Sequence, residues 1–182
     1  MTADDKGKIL VAGVGNIFLG DDAFGVEVAQ RLAERALPEN VRVVDFGIRS
    51  YDLAYALMDA WELVILVDAV SKGGEPGTMY LIEAEVPEVP QPGESPSKTP
   101  SEVCIDAHSM NPASVLQLVR KLGGSPARTM APRTLVLGCE PATIESDEGG
   151  RMGLSRQVRD AVAVAIGMIE ELIAGIGISS AA

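Results

Sequence analysis

Five short runs of apolar residues along the chain predict β-strands that are buried on both faces of a sheet. The longer segments between them place apolar residues on one helical face, as Phe24, Val28 and Leu32 do after the first run. The predicted strands are residues 8–15, 41–46, 62–70, 78–84 and 134–140. This alternation predicts an α/β fold, a three-layer sandwich in which helices on both faces cover a mainly parallel five-stranded sheet.

Four helices are predicted from the same pattern, and two of them carry signals at their start. The third begins with Asn111 and Pro112, and Ser155 is predicted to cap the last helix. The last helix is strongly apolar but contains Glu170 and Glu171, so we expect it to pack on the sheet rather than cross a membrane. The predicted helices are residues 21–37, 50–60, 111–124 and 153–173.

The size and composition of the chain fit one domain. A chain of 182 residues with 47% hydrophobic content can bury a sizeable core, so we expect a single domain over residues 1–182. Residues 85–101 hold five of the eleven prolines and are expected to form a surface loop. Residues 1–7 and 176–182 are expected to be flexible tails.

The charge of the chain limits its partners. The net charge of -11 argues against nucleic acid and anionic membranes, because both attract basic surfaces. A cation or a basic segment of a partner fits this charge better. The first apolar run, ILVAGVG, is too short for a signal peptide. We therefore expect a cytoplasmic protein that binds neither nucleic acid nor membrane.

The segment GVGNIFLGDDAFG begins like a dinucleotide-binding loop but departs from it in two ways. Gly13 and Gly15 match the fingerprint, whereas Phe18 stands where its third glycine should be. Asp21 and Asp22 would also repel a phosphate at the start of the helix. One aspartate can serve as the helix N-cap, which leaves the other without a structural assignment. The segment is therefore better suited to a cation than to a nucleotide.

Two further residues are expected near these aspartates. Asp68 ends the most apolar strand, and His108, the only histidine, precedes a predicted helix and should lie in a loop. With Asp22 they would form an oxygen and nitrogen site that suits nickel, cobalt or zinc and leaves positions open for substrate. Two other interpretations stay open. The carboxylates could bond only to nearby amides, and Cys104 could pair with His108 as a nucleophile.

The motifs as an ordered set resemble the maturation endopeptidases of nickel-iron hydrogenases. GVGNIFLGDDAFG, LVILVDAV and DAHSMNPASVL carry the resemblance, together with the late GCEP and GLS segments, over residues from about 8 to 174. The resemblance implies that Asp22, Asp68 and His108 are catalytic and bind the metal, with Asp22 where the family often has glutamate. It also makes Asp21 a candidate base or a residue that supports the ligands.

The resemblance also implies a region for substrate recognition. The motif after the second strand is commonly Asp-Gly-Gly-Thr in that family and reads DFGI here, which keeps Asp45 and Gly47. These two residues and the neighbouring Arg49 are the candidates for contact with the substrate. The residues implied to form the loop of the first motif are Gly13, Gly15 and Asn16.

The reaction that the resemblance implies is one proteolytic cut. An endopeptidase of the aspartic or metal-dependent type would remove the C-terminal extension of a hydrogenase large-subunit precursor after nickel insertion. Nickel would then be supplied by the precursor and recognised by the enzyme. The alternatives are a nucleotide or small-ligand binding module on the same sheet, and a chaperone that docks on the precursor without cutting it.

Overall fold

The computed structural model describes residues 7–84, 119, 133–142 and 152–179. All five predicted strands are confirmed, as are three of the predicted helices. The predicted helix at 111–124 lies outside the described residues except for Val119, which is helical and buried. The elements are β1 (Ile9–Val14), a short 3-10 helix (Gly20–Ala23), α1 (Phe24–Ala33), β2 (Val41–Gly47), α2 (Ser50–Ala56), β3 (Leu63–Ala69), β4 (Met79–Glu83), β5 (Arg133–Cys139) and α3 (Arg156–Ser179).

Three predicted helices have other ends than expected: α1 ends at Ala33 instead of residue 37, and α2 ends at Ala56 instead of residue 60. The last helix was expected to stop at residue 173, but α3 continues to Ser179. Gly175 and Gly177 do not end it, because each glycine costs a helix only about 1 kcal/mol. The predicted surface loop at 85–101 lies outside the described residues. The single domain and the flexible tails stay predictions.

The sheet has the strand order β2-β1-β3-β5-β4. The pairs of β1 with β2, β1 with β3 and β3 with β5 are parallel, whereas β4 is antiparallel to β5. The prediction of a mainly parallel five-stranded sheet is therefore confirmed. The chain moves from β1 outward to β2 and then returns across β1 to β3. This reversal makes the gap between the carboxyl ends of β1 and β3 a topological switch point, where ligands of such sheets bind.

Helices lie on both faces of the sheet. Alternate residues of β1 and β3 point to opposite faces, as expected for strands. Successive right-handed crossovers in opposite directions put α1 and α2 on opposite faces. On one face α1 packs against α3, and the core includes Ile9, Val11, Phe24, Ile65 and Ile169. On the other face α2 and Trp61 cover a second core that includes Leu10, Ala12, Leu53, Leu66 and Val136.

Gly25 brings the start of α1 directly onto the switch point. A Cβ added at Gly25 would overlap the carbonyl oxygens of Val14 and Val67, at the ends of β1 and β3. A dinucleotide fingerprint has its close-packing glycine at position 18 of this chain, which is Phe18. Here Gly25 has that packing role seven residues later. The glycine therefore sets how closely the acidic segment before α1 approaches β3.

We expect Gly25→Ala to destabilise the fold by about 1–3 kcal/mol, because the new methyl group must displace backbone atoms of two strands. Gly167→Ala is the matched control, since a Cβ at Gly167 in α3 meets no atom within 4 Å. The control should be neutral or stabilising by up to about 1 kcal/mol. Urea unfolding measures both changes. Equal changes in the two variants would contradict the packing role of Gly25.

Candidate functional site

Asp22 lies in the 3-10 helix that follows β1 and faces back toward the preceding turn. Its Oδ2 accepts a hydrogen bond of 2.8 Å from the Asn16 N–H, and the Asn16 side-chain oxygen accepts one of 3.0 Å from the Phe18 N–H. The Leu19 N–H donates to the Asn16 carbonyl at 3.1 Å. No side chain caps the 3-10 helix or α1. Asp22 is therefore not the N-cap of the helix that it was expected to cap. Its side chain stabilises the turn before the 3-10 helix instead.

Asp21 is buried and holds two segments that are distant in sequence. Its Oδ2 accepts a 2.8 Å hydrogen bond from the Ala142 N–H, and its Oδ1 accepts a 2.6 Å bond from the Ser155 N–H. Ala142 follows β5, and Ser155 directly precedes α3. Capping of α1 by Asp21 is therefore also wrong. The side chain connects the first motif to the GCEP and GLS segments.

Ser155 precedes α3, but its side chain is not a cap. The Ser155 carbonyl accepts the hydrogen bond of the Arg159 N–H at 2.9 Å, so the residue occupies the predicted N-cap position. Its Oγ is buried and has no hydrogen-bond partner within the described part of the chain. Ser155 therefore lies at the predicted N-cap position, but its side chain does not form the expected capping hydrogen bond. The bond to Asp21 fixes the backbone of Ser155 instead.

Asp68 is the last polar residue of β3 and only 3% of its surface is exposed. Its Oδ1 accepts a 2.8 Å hydrogen bond from the Ala69 N–H. Burial raises the pKa of Asp68 well above its ordinary value, and the charge of Asp22 raises it further. Burial also raises the pKa of Asp22, against the hydrogen bond from Asn16. The structure thus brings two of the three predicted ligands together at the switch point.

The pair of carboxylates is electrostatically suited to a cation. Among the described residues, no lysine or arginine forms an ion pair with Asp22 or Asp68. Each carboxylate uses one oxygen for a backbone amide. A bound cation would relieve both the cost of burial and the repulsion between the two charges. His108, the third predicted ligand, lies outside the described residues, within which no group of three acidic, cysteine or histidine side chains could hold a metal.

The residues predicted for substrate recognition lie beside this pair. The Gly15 N–H donates to the Gly47 carbonyl at 3.1 Å, so the loops after β1 and β2 run side by side. Gly47 has a φ of 53°, and Asp45 accepts a 3.0 Å bond from the Gln30 side chain. The Arg49 guanidinium donates to the carbonyls of Asp45 and Phe46 at the end of β2. Contact of these residues with a substrate stays a prediction.

Cys139 is the one cysteine in the described segments, and it is buried at the end of β5. Burial, together with the charges of Asp21 and Glu140, raises the pKa of its thiol to about 12. A thiol in this state remains protonated near neutral pH and is a poor nucleophile. Cys104, the cysteine considered with His108, lies outside the described residues.

Glu140 is a buried acid in the GCEP segment whose role the sequence did not indicate. Its carboxylate accepts hydrogen bonds from the Lys72 N–H at 2.8 Å, the Gly73 N–H at 3.1 Å and the Tyr80 hydroxyl at 2.8 Å. The Lys72 ammonium group lies 5.4 Å from the centre of the Tyr80 ring. Glu140 therefore anchors the turn between β3 and β4. The available signal was a charged residue directly after the apolar run of β5.

The pH dependence of stability tests this anchor. The Lys72 amide, with the other donors, lowers the pKa of Glu140, so the bonds stabilise the fold at pH values above the unfolded pKa of about 4.3. This contribution is lost as the pH falls through the lower folded pKa. We expect Glu140→Gln to cost about 1–3 kcal/mol near pH 7 in urea unfolding, and progressively less below about pH 4.

The control for this measurement is Glu75→Gln, an exposed glutamate in the same turn. We expect this substitution to change the free energy of unfolding by less than about 0.5 kcal/mol at either pH. If Glu140→Gln lost the same stability at low pH as at neutral pH, the carboxylate charge would not be what anchors the turn.

Comparison with known proteins supports one family. The model of the hydrogenase maturation protease family matches residues 26–172. The hydrogenase expression/formation protein HupD of Bradyrhizobium diazoefficiens is 30% identical over 179 residues, covering 98% of this chain and 84% of HupD. The hydrogenase 2 maturation protease of Escherichia coli is 34% identical over 143 residues, which is 78% of each chain.

Solved structures give the same result. The hydrogenase maturating endopeptidase HybD of Escherichia coli superposes with a TM-score of 0.67 at 26% identity, covering 93% of this chain and 94% of HybD. A hydrogenase 2 maturation peptidase from a Thaumarchaeota archaeon gives a TM-score of 0.64 at 26% identity, with coverages of 92% and 98%. The fold and its relatives define an α/β endopeptidase. The chain belongs to the hydrogenase maturation protease family.

No helix in its described residues is long and apolar enough to span a membrane.

Proposed function

We propose that this protein removes the C-terminal extension of a nickel-iron hydrogenase large-subunit precursor after nickel has been inserted. The family supports a protease of hydrogenase maturation. The observation that carries the finer proposal is the pair formed by the buried Asp68 and the half-buried Asp22, which has no counter-ion within the described residues. Such a pair is stable as a binding site when a partner brings a cation to it.

Nickel belongs to the substrate in this proposal. Carboxylates and imidazole are suitable ligands for a divalent ion of this kind, and the proposed set is Asp22, Asp68 and His108. The bonds from Asn16 and Ala69 orient the two carboxylates, which leaves one oxygen of each for the ion. Since the ion arrives with the precursor, cleavage would follow nickel insertion and not precede it.

The chemistry at the site is hydrolysis of one peptide bond. A divalent ion next to that bond can polarise its carbonyl group and lower the pKa of an attacking water. A carboxylate takes the proton of this water and returns one to the leaving amine. We therefore propose an endopeptidase that depends on both metal and aspartate, acting in the cytoplasm.

A cleavage assay with variants tests the proposal. Purified protein and nickel-loaded precursor are incubated, and intact mass spectrometry follows the shortening of the precursor. We expect Asp22→Ala, Asp68→Ala and His108→Ala each to slow cleavage by at least about a hundredfold. Asp59→Ala is the control, because Asp59 is exposed and precedes β3 at the opposite edge of the sheet. Wild-type rates in His108→Ala would remove that residue from the site. Binding without loss of mass would identify a docking chaperone instead.

A further inference from the structure

Exposed apolar side chains are concentrated beside the candidate site. Among the described residues eight large apolar side chains are exposed, and five of them lie on the segments that follow β1 and β2. The other three, Leu81, Met152 and Val164, lie on β4, before α3 and on α3. We call the five the apolar rim: Ile17, Phe18, Ile48, Tyr51 and Tyr55. Clustered exposed apolar residues with aromatic members are typical of surfaces that bind proteins.

The two parts of the rim leave the sheet side by side. β1 and β2 are neighbouring parallel strands, and Val14 is paired with Gly47 at their carboxyl ends. The hydrogen bond from Gly15 to Gly47 continues this pairing beyond the strands. The turn with Phe18 therefore lies next to the segment with Ile48, and these side chains are 59% and 60% exposed.

The rim is continuous with the carboxylate pair. Asp22 accepts the Asn16 N–H, and Asn16 in turn accepts the Phe18 N–H, so the turn that presents Phe18 is built on the Asp22 side chain. Phe18 is therefore held in the same turn that binds Asp22, and Asp22 is close enough to Asp68 for its charge to act on it. One surface thus joins an apolar patch to a negatively charged site.

We propose that the apolar rim binds the stretch of the precursor next to the bond that is cut, through large apolar side chains of that stretch. This inference rests on the proposed function and adds the contact surface for the substrate chain. Charge complementarity favours this occupant, because a cation would stabilise the two carboxylates beside the rim and a nickel-bearing precursor brings one. A second copy of this chain would instead bring another net charge of -11 against the same carboxylates.

Steady-state kinetics on the nickel-loaded precursor test the rim. We expect the double variant Phe18→Ser with Ile48→Ser to raise KM about tenfold and to leave kcat within about twofold, since contacts with side chains that do not take part in the reaction act equally on ground and transition states. Its melting temperature should stay unchanged, because both side chains are exposed. Val164→Ser is the matched control, being 54% exposed on α3, and should keep the wild-type KM.

The possible outcomes separate the inference from the proposed function. A wild-type KM in the double variant would overturn the rim and leave the protease intact. Absence of cleavage by the wild type would instead count against the proposed function. In that case the Kd for the precursor decides on the rim, with about tenfold weaker binding by the double variant supporting it and equal binding overturning it. If the wild type formed a dimer and the double variant did not, the apolar rim would bind a second copy of this chain, and the precursor would be overturned as its occupant.

Discussion

Asp68→Asn should produce a protein that no longer cleaves its precursor but melts at a higher temperature than the wild type. Asparagine keeps the side-chain oxygen that accepts the Ala69 N–H and has the same shape. It removes a charge that is buried beside Asp22. We expect cleavage to fall by at least about a hundredfold. We also expect the free energy of unfolding of the metal-free protein near pH 7 to rise by about 1–2 kcal/mol.

The sign of this stability change depends on pH. Because folding raises the pKa of Asp68, the folded state binds its proton more tightly than the unfolded state does. Ionisation therefore costs stability as the pH rises from the unfolded pKa of about 3.9 through the folded pKa. The advantage of Asp68→Asn should vanish below about pH 4 in thermal unfolding. Asp59→Asn, at an exposed position, should change little at either pH. A less stable Asp68→Asn variant near neutral pH would show that the buried charge of Asp68 does not destabilise the fold.

Asp21→Asn is expected to lose about 3 kcal/mol of unfolding free energy. The two oxygens of Asp21 each accept a backbone N–H, from Ala142 and from Ser155. Asparagine offers one acceptor, so its amide group must face one of these donors. The loss combines charge-assisted hydrogen bonds with a buried donor that has no acceptor. Urea unfolding measures the loss, and hydrogen exchange should become faster at the amides of Ala142 and Ser155.

A matched control and a kinetic measurement distinguish this role from a catalytic one. Asp160→Asn changes an exposed aspartate of α3 and should alter stability by less than about 0.5 kcal/mol. If Asp21 were the base of the reaction, Asp21→Asn would stop cleavage and leave the stability unchanged. We expect the reverse result. Asp21→Asn should lose stability, and the fraction of the variant that remains folded should keep part of the cleavage activity.

The sheet and the positions of Asp22 and Asp68 could be predicted, because the sequence signals for them are local. The apolar run that ends at Asp68 is sufficient to predict a buried strand with a carboxylate at its end. The parallel arrangement then places Asp68 at the same edge as Asp22, since Asp68 lies at the carboxyl end of β3 and Asp22 follows the carboxyl end of the neighbouring β1. Neither inference requires knowledge of contacts between distant residues.

The remaining features depend on contacts that are distant in sequence. One of the two aspartates was expected to cap the adjacent helix, but the partners of Asp21 lie 121 and 134 residues further along the chain. The role of Glu140 depends on a turn 67 and 68 residues earlier. The packing of Gly25 against Val67 follows only from the relative positions of α1 and β3. Local capping rules consider only nearby amides and could not find any of these interactions.

The central claim is that nickel arrives on the precursor and is recognised at Asp22, Asp68 and His108. The most direct test incubates metal-free enzyme with two preparations of the same precursor, one loaded with nickel and one without metal, and follows both by intact mass. The account predicts a single cut in the loaded precursor and none in the metal-free one. Equal cleavage of both preparations, or cleavage that requires nickel bound to the enzyme beforehand, would contradict it.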